Sequence, residues 1–203
     1  MKKKIMDDKK IYQLLQEWFP ELNVLKIPPK KMRRDFEVFN DWLSPRDITV
    51  PSGEDESQEY KYRGYFLSID RDQHMDNGIE TCALFQDLGV DPNEIQNRIE
   101  LRTDPLFEHY EKFKDLLGDF YALRSHVYDI VLEEIYKQVI KYGYRMLLIY
   151  AADQIWIAVP DQPKKIKKFI KLFEKQFKDV HPTIEYYERY QPFNLSFIFS
   201  DDS

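Results

Sequence analysis

The chain has 203 residues, with 30 Lys+Arg against 36 Asp+Glu, a formal net charge of -6 and a pI near 5.3. Hydrophobic residues at 43% and aromatics at 15% exclude a disordered chain, because that much large apolar surface offsets the ordering entropy of a folded unit. Six glycines lie at least about ten positions apart, which excludes the clustered-glycine nucleotide and nucleophile-elbow motifs, and the single cysteine, Cys82, excludes an intrachain disulfide or a thiolate cluster.

Met1-Lys2-Lys3-Lys4-Ile5-Met6 imitates the basic start of a signal peptide, but Asp7-Asp8-Lys9-Lys10 stands where an apolar run should follow. The expectation is a cytoplasmic protein with no export signal and no membrane span. Ile11, Leu14, Leu15 and Trp18 fall at helical spacing, and Pro20 stops them. Leu22 to Ile27 alternates loosely and predicts a short strand. Met32, Phe36, Phe39 and Leu43 form the stripe of a second helix, ending at Ser44-Pro45. Residues 44 to 59 lose all pattern and predict a long exposed loop carrying Glu54-Asp55-Glu56.

Tyr60 to Ile69, aromatic and β-branched, reads as a strand that runs into the polar stretch from Asp70 to Gly78. A largely helical segment follows. Ile79 to Leu88 is closed by Gly89, and Asp91-Pro92-Asn93-Glu94 has the order of a helix start. Asp104-Pro105 repeats that device and predicts a further start. Leu123, Val127, Ile130, Val131, Ile135 and Val139 mark a long helix stopped by Gly143.

The period then changes. Met146–Tyr150 and Ile155–Val159 are short apolar runs that predict a hairpin, and Ile166, Phe169, Ile170, Phe173 and Phe177 are the stripe of a helix. Thr183–Tyr190 and Phe193–Phe199 read as a second hairpin folded at Gln191-Pro192. The fold class is therefore α+β, an antiparallel sheet with a C-terminal ββαββ unit and a preceding helical layer, in one domain of residues 1–203. Its lobes would be residues 1–69, 79–143 and 144–203.

Candidate chemistry is sparse. Asp70, Asp72, His74, Asp76 and Glu80 resemble a hard-cation site, yet neither calcium-loop register supplies the required glycine and terminal acid. A solvated turn is the plainer reading, with a metal-dependent hydrolase at residues 70–80 as an alternative. His74, His109, His126 and His181 lack partners at metal-binding spacing, and Cys82 shares an apolar side with Ile79 and Phe85. No catalytic residue, metal or cofactor is assigned.

Charge layout carries the functional expectation. Residues 53–119 hold 17 Asp+Glu and 7 Lys+Arg, whereas the remaining residues hold 19 and 23. An acidic surface interspersed with tyrosines suits a non-enzymatic protein that covers a basic partner, most concretely a bacterial immunity protein neutralising a toxin such as a nuclease. The expected partner-binding residues are Glu54, Asp55, Glu56, Tyr60, Asp70, Asp72 and Asp76. Lysines fill one face of the helix at 163–178, and Lys164, Lys168, Lys171 and Lys175 are the alternative, nucleic-acid contacts. A solvated face is the plainer reading, since no arginine stands among them and the whole chain is acidic.

Overall fold

The computed structural model describes residues 8–44, 46–51, 57–62, 66–69, 82–117, 121–151, 154–179 and 182–188. Six α-helices and six strands follow one another along these residues. Helix α1 (Lys10–Trp18) and helix α2 (Phe36–Leu43) come first, separated by a 3-10 turn at Pro20–Val24. Strands β1 (Arg46–Pro51), β2 (Ser57–Tyr62) and β3 (Phe66–Ile69) lead to helices α3 (Ala83–Asp87), α4 (Pro92–Leu117) and α5 (Tyr121–Lys141). Strands β4 (Tyr144–Tyr150) and β5 (Gln154–Pro160), helix α6 (Pro163–Gln176) and strand β6 (Thr183–Tyr186) complete the order.

A four-stranded antiparallel sheet in the order β3-β5-β4-β6 forms the middle layer, and β1 and β2 pair separately. The α+β class is as expected, and the predicted β4/β5 hairpin pairs Leu148 with Trp156. Strand period two then divides the side chains between two cores. Leu147, Ile149, Ile155, Ile157 and Val159 pack against α1, α2 and α6, whereas Met146, Leu148, Trp156 and Ala158 pack against α3, α4 and α5. Helices therefore cover both faces of the sheet, α3, α4 and α5 on one and α1, α2 and α6 on the other.

Local chemistry accounts for three of the helix boundaries. Asp35 caps α2 by accepting from the N–H groups of Glu37 and Val38 at 3.0 and 3.4 Å. Asp91 accepts from the Asn93 N–H at 2.9 Å, the predicted start of α4. Gly143 follows α5 with φ of 78°, a left-handed conformation that side chains rarely adopt.

Several expectations fail. Leu22–Ile27 is no strand: Pro20 at the first position starts a 3-10 turn, and Leu22 is buried under α1. Residues 44–59 are not one loop, since β1 and β2 form a hairpin in which Ile48 faces Tyr60. The expected strand at Tyr60–Ile69 is two strands with different partners, as β2 pairs with β1 and β3 with β5. Asp104-Pro105 does not start a helix, because α4 runs straight through Pro105 for 26 residues. Burial of Ile95, Ile99 and Leu106 on its inner side outweighs the proline penalty of about 3 kcal/mol. The predicted strand Phe193–Phe199 lies outside the described residues.

Candidate functional site

Of the expected partner-binding residues, Glu54, Asp55, Glu56, Asp70, Asp72 and Asp76 lie outside the described residues, as do His74, Glu80 and His181. Tyr60 stands in β2, opposite Ile48. Among the described residues no group of three His, Cys, Asp or Glu side chains could hold a metal ion. His109 stacks on Phe113 one turn away, with ring centroids 4.7 Å apart. Cys82 is fully buried, and burial pushes its thiol up to about 11 despite backbone hydrogen bonds that pull the other way, so it is no nucleophile at neutral pH.

The acidic surface that can be described is the outer face of α4. Glu94, Asn97, Leu101, Asp104, Pro105, Glu108, Lys112 and Asp115 are exposed, and spacings of three and four residues bring them onto one ridge about 31 Å long. Glu94 pairs with Arg98 and Glu111 with Lys114. Among the described residues, Asp104, Glu108 and Asp115 make no ion pair. In the N-terminal half of the ridge Leu101 is 75% exposed, the most exposed large hydrophobic side chain among these residues. Pro105 has no N–H, so the Leu101 carbonyl lacks its usual partner four residues on. That carbonyl points along the helix toward the turn bearing Asp104, Pro105 and Glu108.

The inner face of α4 holds a charge network that the sequence reading missed. Glu133 and Glu134 of α5 are 2% exposed, yet both are ionic partners of Arg102. The Arg102 guanidinium donates to Glu133 Oε2 at 3.0 Å and to Glu134 Oε1 at 2.6 Å. Arg98 Nε donates to Glu134 Oε2 at 3.3 Å, and Lys137 Nζ lies 2.9 and 2.7 Å from the two carboxylates. Burial pushes Glu134 up, but hydrogen bonds from Lys137 and Arg102 and their charges hold it below the usual carboxylate range. Burial acts against the Arg102 charge, and the two glutamates more than restore it. The network locks α4 onto α5. One signal was present in the sequence: Glu133-Glu134 sits inside the apolar run Ile130-Val131-Leu132 and Ile135, where a pair of acids is expected only if compensated.

On the opposite side of the sheet, Lys164, Lys168, Lys171 and Lys175 are all exposed on α6, as expected from its stripe. Ile166, Phe169 and Phe173 fill the core beneath them. Lys165 pairs with Glu17 at 3.2 Å, whereas among the described residues those four lysines make no ion pair. A turn at residues 30–34 joins this face. Gln176 Nε2 donates to the Arg33 carbonyl at 2.6 Å, and Phe36 packs on Phe173 and Phe177. These contacts bring exposed Lys30 and Lys31 to the C-terminal end of α6.

No family model, curated protein or solved structure matches this chain. The sheet separates charge by layer. Residues 8–44 and 161–179 carry 14 Lys+Arg and 9 Asp+Glu, whereas residues 82–117 and 121–143 carry 7 and 11. Among the described residues no helix is long and apolar enough to cross a membrane.

Proposed function

We propose that this protein is a non-enzymatic binding protein that covers a basic partner with its acidic side, in concrete form a bacterial immunity protein that neutralises a toxin. The observation that carries the reading is the α4 ridge. Two carboxylates without ion-pair partners among the described residues, Asp104 and Glu108, lie within two turns of an exposed leucine and a carbonyl deprived of its helical donor, and a third, Asp115, stands two turns further on. Such a surface offers a Lys- or Arg-rich partner both charge to steer encounter and a central apolar anchor to prolong the contact. The acids at Glu54–Glu56 and Asp70–Asp76 belong to the same reading, since they add to the negative balance of residues 53–119.

Affinity capture from the native host, followed by kinetics on the captured protein, tests the reading. The partner should be basic. Reversal of Asp104, Glu108 and Asp115 to Lys should slow association at least tenfold at low salt, and Leu101→Ala should chiefly speed dissociation. An acidic partner, or unchanged rates for both variants, would overturn the proposal. A toxin gene immediately upstream would support its concrete form.

A further inference from the structure

We propose that the basic side of the molecule is a second binding surface, which tracks the phosphate backbone of duplex nucleic acid without reading its sequence. Lys164, Lys168, Lys171 and Lys175 follow one another at spacings of four and three residues, a line along α6 of about 16 Å, and Lys178, just past the helix end, pairs with Asp179 at 3.7 Å. The axial steps between them, roughly 4.5 to 6 Å, put one cation per about 5 Å along the line, a density comparable with the one phosphate per 3.4 Å of duplex axis on a single strand. Exposed Lys30 and Lys31 stand in the turn whose Arg33 carbonyl Gln176 holds, beside Arg34, which pairs with Asp8 at 3.3 Å. Glu174 is the only acid among residues 163–178.

The overall charge of -6 does not cancel this surface. The acidic ridge of α4 lies across the sheet, two layer spacings or roughly 20 Å away, beyond the screening length of about 10 Å at 0.1 M salt. The residue types choose the occupant. Lysine supplies point charges suited to phosphate, and α6 offers no arginine for base edges and no exposed aromatic ring for stacking unpaired bases. An anionic membrane would call for an apolar helix face to insert, but Ile166, Phe169, Phe173 and Phe177 are already committed to the core.

The test is fluorescence anisotropy with a labelled 20-base-pair duplex of arbitrary sequence, titrated between 50 and 200 mM NaCl. With about six phosphate contacts, affinity should fall roughly a thousandfold over that range. Lys164, Lys168, Lys171 and Lys175 replaced together by Gln should weaken binding at least tenfold at 100 mM salt and flatten the salt slope by about three to four. Lys112→Gln with Lys114→Gln removes two charges from the acidic layer and should leave duplex affinity within about twofold. Circular dichroism melts establish that the variants fold. Absence of duplex binding at 50 mM salt, an unaltered quadruple variant, or binding to anionic phospholipid vesicles in place of the duplex would each overturn the proposal. Because the lysines and the α4 acids lie on opposite sides, neither outcome bears on the acidic-face reading.

Discussion

Arg102→Met takes one guanidinium from between two carboxylates whose side chains are only 3% and 2% exposed. Two hydrogen bonds disappear while Arg98 and Lys137 stay in place. Methionine retains the apolar stem, so the loss is mainly electrostatic. Removing one partner from a buried ion network costs about 3–5 kcal/mol, since the remaining charges are left undercompensated. For a chain of this size each kcal/mol is worth about 2–4 °C, which predicts a Tm lower by roughly 6–20 °C. The pH dependence separates charge from packing. In the native protein Glu134 has a depressed pKa, so its contribution is present above the unfolded value near 4.3 and is lost as pH falls through the folded one. Without Arg102 the burial effect gains weight and the carboxyl moves up, and each unit of that movement removes about 1.4 kcal/mol at pH 7. The gap between the native protein and Arg102→Met should therefore be widest at pH 7 and narrower at pH 4. Urea unfolding at the two pH values measures both gaps. A gap below about 1 kcal/mol at pH 7, or equal gaps at both, would refute the idea that these carboxylates are held charged by Arg102.

Phe173 is fully buried and meets the rings of Phe36, Phe39, Phe169 and Phe177, with Phe177 nearest at 4.9 Å, so Phe173→Ala should cost about 3–5 kcal/mol in urea unfolding. Gly143→Ala meets no atom within 4 Å, and its loss of about 1–2 kcal/mol should reflect the φ of 78° alone; no loss at all would contradict that conformation. Cys82 should react with a thiol reagent at pH 8 at least a hundredfold more slowly in the folded protein than in urea. As its folded pKa is raised by burial to about 11, stability should decline as pH climbs from about 8.5 toward that value.

What was legible in the sequence is what neighbouring residues decide among themselves. The α6 stripe, the paired apolar runs of β4 and β5, the Asp91 cap and the Gly143 stop each need only a few adjacent positions, and each is present. Pro105 was misread because Asp-Pro is locally a good helix start. What carries α4 past it is burial of side chains on both sides of the proline, Ile99 and Leu106, which no short window reveals. The β1/β2 hairpin was missed because Arg46-Asp47-Ile48-Thr49-Val50 and Ser57-Gln58-Glu59 offer little apolar alternation, and pairing rests on the backbone register instead. The segregation of acids from lysines was visible as composition. Which acids share a ridge depended on α4 being one uninterrupted helix.

The division of the sheet between two cores sets a timetable for a chain made from its N-terminus. Helices α1 and α2 leave the ribosome early with Trp18, Phe39 and Trp42 uncovered, and the surfaces that bury them are β4, β5 and α6. Synthesis must advance from Leu43 to Leu147 before that cover begins to arrive, a wait of roughly 5–21 s at about 5–20 residues per second, and α6 comes later still. During that interval a cluster of aromatic side chains is available to chaperones and to neighbouring nascent chains, so the hazard of misassembly for this protein is concentrated in its first fifth, before the helix that protects it has been translated.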